Sequence, residues 1–206
     1  MWVAPTNLSP VDTETLFEIH NLASPANDND SFRIDLIAGG TIQFRMFNNS
    51  GVLIKRYDMD SEESSSVGVD GFFFSAEEWC QIFVTWDGTD LVVYRNGYDI
   101  TSDMTAITDV AGSQANTNRS LSIGSKVDQT DFFTGFVHSV ATWSAALSQS
   151  AARTLWNQGA GATSNLLQGY DDYLDPSPLE SWYQLGKVDG DPVRDSTSNA
   201  RHLTAS

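Results

Sequence analysis

Acidic side chains are the residues of this sequence whose type and spacing could do chemistry. Near the end of the chain, Asp189, Asp191 and Asp195 lie close together. Carboxylate oxygens are the hard ligands that calcium prefers, so these three residues are the predicted calcium ligands. Two further clusters share this character: Asp28 with Asp30, and Asp58 with Asp60 and Glu62. None completes an EF-hand loop, and a chain this acidic also forms such clusters by chance in solvated loops.

Other catalytic chemistry has little support. The three histidines, His20, His138 and His202, share no metal-ligand spacing. There is no G-x-S-x-G motif for a nucleophilic serine and no glycine loop that would bind phosphate. Cys80 is the single cysteine, which rules out an intrachain disulfide and favours a small buried apolar side chain. The sequence therefore predicts no catalytic residue and no residue that binds an organic cofactor.

Composition indicates one acidic globular domain over residues 1–206. The chain has 40% hydrophobic residues, and its 11 Lys plus Arg against 27 Asp plus Glu give a net charge of −16. Such a surface repels phosphate backbones and anionic lipids, so neither nucleic acid nor a membrane is a predicted partner. The start, Met1–Thr6, has no signal-peptide pattern, and no apolar run reaches the length of a membrane span. We expect a soluble protein made in the cytoplasm.

Alternation of apolar and polar residues recurs along most of the chain and predicts half-buried β-strands. The runs 32–36 and 42–46 flank Gly39-Gly40 and predict a hairpin. The clearest strands, 82–86 and 91–94, are joined by Asp87-Gly88 and followed by Asn96-Gly97. Further predicted elements are an irregular connection over 99–118, a short strand at 121–123, one long strand over 132–143 and a last strand near 182–185.

One stretch has a helical pattern. Ser148 can cap a first turn, Leu147 and Ala152 are spaced as a hydrophobic staple, and Gly159 can end the helix. About a dozen strands with one short helix near residues 148–158 predict an all-β, two-sheet antiparallel sandwich.

The middle of the chain resembles a known family. The run Glu78–Gly88, continued by Leu91–Gly97, is similar to the core pattern "W-x-x-(I/V)-x-V-T-W-D-G" and "L-x-(V/L)-Y-x-N-G" of laminin G-like domains. The resemblance continues through Leu121–Ser125, Phe133–Trp143 and Leu147–Gly159. It implies the concanavalin A-like jelly-roll sandwich. The large apolar side chains of Trp79, Trp86 and Trp143 would then lie on the inner faces of the two sheets.

The closing segment is similar to laminin G-like domains of tailed-phage structural proteins, whose pattern is "W-W-R-M-G-D … D-S-S-G-N". Here Leu179–Gly186 matches the first part and Asp195–Asn199 the second. Lys187 stands in place of the usual Asp, and Ser198 in place of the usual Gly, which weakens a ligand assignment at this segment.

Glucanases with the same fold usually show "E-x-D-x-x-E" on one strand, because a retaining mechanism needs two carboxyl groups about 5 Å apart. The nearest match has Arg33 and Ala38 where the glutamates belong, and only Asp35 remains. The sequence therefore predicts a protein that is not an enzyme.

The predicted function is a non-catalytic structural or binding protein. The resemblance favours a capsid decoration or cement protein, or a fibre module, on the virion surface and bound to the major capsid protein or other virion proteins. The alternative is an extracellular, calcium-dependent lectin module for cell-surface glycans. A homo-oligomer is expected in either case. Aromatic side chains that could stack on sugars, but are better explained as core, are Phe72–Phe74, Trp156, Tyr170, Tyr173 and Tyr183.

Overall fold

A computed structural model describes residues 1–21, 30–38, 40–59, 78–113, 119–157, 165–185, 194–201 and 203. Within these ranges the chain forms thirteen β-strands and one α-helix. The strands are β1 Trp2–Pro5, β2 Glu14–Asn21, β3 Asp30–Leu36, β4 Ile42–Phe47, β5 Leu53–Met59, β6 Cys80–Trp86, β7 Leu91–Arg95, β8 Tyr98–Asp99, β9 Thr105–Asp109, β10 Arg119–Ile123, β11 Gly135–Val137, β12 Ser139–Trp143 and β13 Leu179–Gln184. The helix, α1, is Gln149–Trp156.

Contacts divide the chain into two compact units, each built on one large sheet. The first unit contains Met1–Ala4, Glu78–Thr101 and Phe136–Ser206, and the second contains Pro5–Glu77 and Ser102–Gly135. The prediction of a single domain over residues 1–206 stays a prediction.

The second unit is a six-stranded antiparallel sheet in the order β10-β2-β3-β4-β5-β9. Its centre is the predicted hairpin, in which Ile34 lies opposite Phe44. Period-two alternation gives this sheet two different faces. One face is apolar and buried, with Phe17, Ile34 and Phe44 in successive strands. The other face carries charged side chains and is described with the candidate site.

The first unit contains a five-stranded sheet in the order β11-β1-β6-β7-β8 and a separate pair, β12-β13. The β6-β7 hairpin turns at Asp87-Gly88, as predicted, with Gly88 at a φ of 104° that only glycine adopts readily. Asp87 accepts hydrogen bonds from the backbone N–H groups of Thr89 and Asp90, both at 2.8 Å, which fixes the turn. The predicted strands of this region are confirmed.

The helix packs over the core of the first unit. Ser148 caps it, because its side chain accepts a hydrogen bond from the backbone N–H of Ala151 at 3.2 Å. The left-handed residue at its end is Asn157, with a φ of 45°, and Gly159 lies outside the described residues. Its buried face joins a cluster that includes these residues: Phe83, Tyr94, Ala152, Leu155, Tyr173, Leu179 and Trp182.

Two predicted elements are wrong. The connection over 99–118 contains a short 3-10 turn, Thr101–Asp103, and the strand β9. This strand is an exposed edge strand and so shows no apolar alternation.

The long strand over 132–143 is two strands in different sheets. The backbone N–H of His138 still bonds to the carbonyl of Trp2, whereas the chain pairs with β13 from Ser139 onward. Alternation cannot reveal a change of partner strand.

The fold class is confirmed: the chain is mostly β, and the described residues form two main antiparallel sheets and one helix. Among the described residues, no helix has the length and apolar character needed to cross a bilayer.

Candidate functional site

Charged side chains cover one face of the six-stranded sheet. Strand register places these residues opposite one another in one row: Glu18, Arg33, Arg45 and Arg56. The neighbouring row consists of Thr15, Asp35, Gln43 and Asp58. We call these eight residues the charged face. Like charges directly opposite each other are destabilising, so the adjacent arginines require the carboxylates of the next row.

Asp35 is the centre of the charged face and is completely buried. Its Oδ1 accepts a hydrogen bond from Thr15 Oγ1 at 2.7 Å, and its Oδ2 accepts one from Arg33 Nε at 2.8 Å. A terminal nitrogen of Arg45 also donates to Oδ2. Two guanidinium groups and a hydroxyl group occupy this carboxylate, and no part of it is open to a substrate. Asp35 therefore holds three strands together.

Arg56 and Asp58 form a second ion pair that is closer to solvent. Arg56 Nε lies 3.0 Å from Asp58 Oδ1, and a terminal nitrogen lies 2.6 Å from Oδ2. Gln43 donates to Oδ2 at 3.1 Å. The hydrogen bond to Asp58 raises the pKa of Arg56, whose side chain is 33% exposed. Arg45 Nε has no hydrogen-bond partner among the described residues. These guanidinium groups are donors suited to hydroxyl or carbonyl oxygens.

Two glutamates of β2 fasten the segment 124–134 to the sheet. Glu14 accepts hydrogen bonds from the backbone N–H and the hydroxyl of Thr134, both at 2.9 Å. Glu18 accepts one from the backbone N–H of Val127 at 2.6 Å. Both glutamates are buried. These two acidic side chains therefore act as internal hydrogen-bond acceptors.

Asp195 is the only predicted calcium ligand within the described residues. It is buried, and its Oδ1 accepts hydrogen bonds from the backbone N–H groups of Trp182 and Thr197, both at 2.9 Å. Its Oδ2 accepts from Thr197 Oγ1 at 2.9 Å and from the backbone N–H of Arg201 at 3.0 Å. Burial acts to raise the pKa of Asp195, but these hydrogen bonds outweigh it, and the pKa is lowered. We call Asp195 and its partners the aspartate clamp.

The aspartate clamp does not fit a calcium ion at Asp195, because N–H and O–H donors already occupy both oxygens. Asp189 and Asp191 lie outside the described residues, so the predicted calcium site stays a prediction. In the described ranges, no group of three His, Cys, Asp or Glu side chains is placed to hold a metal. Of the other acidic clusters, these residues also lie outside: Asp28, Asp60 and Glu62.

Cys80 is buried, as predicted, and burial raises the pKa of its thiol to about 11. At neutral pH this thiol is protonated and so is a poor nucleophile.

The sequence matches the family Laminin_G_3, the concanavalin A-like lectin/glucanases superfamily, over residues 1–152. The chain belongs to this family. The laminin G-like resemblance of the sequence is thereby confirmed, whereas its phage context stays a prediction. A search of curated proteins gave no match.

Two similar solved structures share the fold at low sequence identity. A heptameric SAP-like pentraxin from Limulus polyphemus shares 17% identity over 75% of this chain, with a TM-score of 0.49. A Bacteroides ovatus protein to which carbohydrate binding has been ascribed shares 14% identity over 94% of this chain, with a TM-score of 0.47. The chain spans 66% of the pentraxin and 46% of the Bacteroides protein.

The structure describes four of the aromatic side chains that could stack on sugars. Tyr173 and Tyr183 are buried, as expected, and Trp156 and Tyr170 are partly buried. Phe72–Phe74 lie outside the described residues. The prediction that Trp79 lies on an inner face is wrong, because Trp79 is 47% exposed.

Sequence reasoning missed Thr15 and Arg45 as partners of Asp35. The polar positions of β4 were visible as alternation, but only the register of β2, β3 and β4 shows which of them meet Asp35.

Proposed function

We propose that this protein is a non-catalytic carbohydrate-binding protein of the concanavalin A-like family. The observation that carries the proposal is the burial of Asp35 between Arg33 and Arg45. Glycoside hydrolysis generally requires two carboxyl groups that flank the bond to be broken. Here the one aspartate of the glucanase pattern is occupied by structural partners, and Arg33 and Ala38 replace the two glutamates. Hydrolysis therefore lacks its carboxyl pair at this position, and binding is the activity in the family's description that we propose.

The test is a glycan array with the purified chain, run with calcium and with a chelator, together with a reducing-sugar assay on β-glucans. We expect binding to at least one glycan and no release of reducing sugar. Binding that disappears with the chelator would support the calcium-dependent lectin of the sequence prediction. Absence of binding under both conditions, or hydrolysis that is lost in Asp35→Ala, would contradict the proposal.

A virion surface protein is the second candidate. It is supported by the closing segment, because the two parts of the phage-like pattern are joined within the fold: Trp182 N–H donates to Asp195, and Ser196 N–H donates to the Trp182 carbonyl at 2.8 Å. The resemblance therefore covers one folded motif. In this setting the chain would be a homo-oligomer on a capsid, and its acidic surface would keep dense copies soluble.

Co-sedimentation with capsids tests this second candidate. The chain should pellet with capsids that lack it and stay in the supernatant without them. Because capsid attachment and glycan binding are separate properties, failure to co-sediment would remove the virion role and leave the carbohydrate proposal unaffected.

A further inference from the structure

Trp79 is an exposed aromatic side chain at the margin of the five-stranded sheet. It directly precedes β6, whose residues Cys80 and Gln81 lie opposite Val3 and Trp2 of β1. Extending this register by one residue places Ala4 opposite Trp79. Directly opposed residues of an antiparallel pair project from the same face of a sheet.

Phe136 lies on the other side of Ala4. Strand β11 is the neighbour of β1, and its register is fixed by two hydrogen bonds: His138 N–H to the Trp2 carbonyl at 3.0 Å, and Thr6 N–H to the Thr134 carbonyl at 3.1 Å. This register puts Phe136 opposite Ala4. Phe136 is 59% exposed.

Phe136, Ala4 and Trp79 therefore form one row across three strands, which we call the aromatic row. Its two aromatic residues are separated by two strand spacings, about 10 Å between their Cα atoms. Ala4 between them is buried, with 1% of its surface exposed. The C–H faces of pyranose rings stack on aromatic faces, so two exposed aromatic side chains in one row can each hold one pyranose ring of the same linear oligosaccharide.

The Trp79 indole is supported from one side. The imidazole of His138 meets it edge to face, with ring centroids 6.1 Å apart and an interplanar angle of 87°. The backbone of His138 is held by its hydrogen bond to Trp2. A ring that is already held in place loses little conformational freedom when a ligand stacks on it, which favours binding.

Polar atoms without partners lie in the next row of the same face. Gln81 is only 4% exposed, and its Oε1 has no hydrogen-bond partner among the described residues. The same is true of His138 Nδ1. Buried polar atoms of native proteins are nearly always satisfied, and ligand sites typically combine aromatic surface with a few such polar groups.

We propose that the aromatic row binds a neutral oligosaccharide, with one pyranose ring on Trp79 and another on Phe136. This inference rests on the proposed function and adds a site on the five-stranded sheet, formed by residues other than the charged face. The ligand is neutral because the chain carries a net charge of −16, so acidic sugars are repelled. Because the aromatic row contains no carboxylate cluster, binding does not depend on calcium.

The test is affinity electrophoresis in gels that contain β-glucan, mannan, galactan or polygalacturonate, with a chelator present. We expect retardation by at least one neutral polymer and none by polygalacturonate. Trp79→Ala and Phe136→Ala should each weaken the affinity about tenfold or more, as expected for an aromatic anchor, and Trp79→Phe should retain most of it. Phe132→Ala removes another exposed ring, 61% exposed, and should change the affinity less than about twofold.

Each alternative result has a distinct meaning. If the unmodified chain binds a glycan and both alanine variants bind it equally well, the aromatic row is not the site, while the proposed function stands. If the unmodified chain binds no glycan on gels or array, both proposals fail. Stronger binding to polygalacturonate than to neutral polymers would overturn the assignment of ligand class. A smaller oligomer in the variants than in the unmodified chain, without a change in glycan affinity, would identify the aromatic row as a contact between copies instead. Melting curves show that each variant is folded.

Discussion

Asp35→Asn should lower the free energy of unfolding by about 3–5 kcal/mol, the range found when one partner of a buried ion pair is removed. The substitution keeps the shape of the side chain but removes the negative charge that both Arg33 and Arg45 face. The side chain of Arg33 is almost fully buried and would remain charged in an environment with little water. Urea unfolding monitored by tryptophan fluorescence measures this loss.

Asp58→Asn is the matched control. It removes the same charge from the same face of the sheet, but its partner Arg56 is one-third exposed, so water can replace much of the lost interaction. We expect a loss of about 1 kcal/mol or less. Equal effects of the two variants would contradict the structural role of Asp35. A normal stability of Asp35→Asn combined with a lost activity would make Asp35 a functional residue.

The local features of the fold could be predicted because they depend on short-range chemistry. Asp87-Gly88 and Asn96-Gly97 supply the backbone conformations of tight turns, and the strands β6 and β7 next to them alternate clearly. The cap at Ser148 was likewise predicted from its position before an amphipathic segment. Turns, hairpins and caps are specified within a few residues, so a single sequence suffices for them.

Long-range strand order could not be predicted in the same way. Strand β2 lies between β10 and β3, and β1 lies between β11 and β6, so each has one partner about a hundred residues or more away. No local pattern encodes such a pairing. The same limit explains the error at His138, where the chain leaves one sheet and joins another without a break in alternation.

The same distinction between short-range features and long-range pairing applies to the candidate site. Asp35 stood out in the sequence because Arg33 and Ala38 stand where the glucanase pattern has glutamates, and these replacements could be recognised from the sequence alone. The partners that make Asp35 inaccessible could not be predicted, because Thr15 and Arg45 come from other strands. The burial of Trp79 was predicted wrongly for a related reason. A large apolar residue next to a buried strand usually belongs to the core, but Trp79 lies just before the first residue of β6 and is exposed.

Asp195→Ala should lower the free energy of unfolding by about 2–4 kcal/mol, because it leaves buried backbone N–H groups without an acceptor. The groups affected are the N–H of Trp182 in β13 and those of Thr197 and Arg201. Asp195→Asn is the matched variant. Its remaining oxygen can still accept from Trp182 and Thr197, but its amide nitrogen cannot accept from Arg201, so a smaller loss is expected. Thermal and urea unfolding measure both variants.

The pH dependence of this effect follows from the lowered pKa of Asp195. A carboxyl group whose pKa is lower in the folded state stabilises the protein above its unfolded pKa, near 3.9, and this contribution is lost as the pH falls through the folded value. The difference in stability between the unmodified chain and Asp195→Asn should therefore be constant near neutral pH and shrink below about pH 4. A difference that does not change down to pH 2 would contradict this role of the carboxylate.

Stability measurements with and without calcium distinguish two roles of Asp195, as the centre of the aspartate clamp or as a ligand of the predicted metal site. If Asp195 acts through its hydrogen bonds to Trp182, Thr197 and Arg201, the loss of stability in Asp195→Asn is the same with millimolar calcium and with a chelator. If Asp195 is a calcium ligand together with Asp189 and Asp191, calcium stabilises the unmodified chain and not the variant, since a ligand that binds only the folded state raises its stability. Because both oxygens of Asp195 already accept hydrogen bonds, we expect the first result.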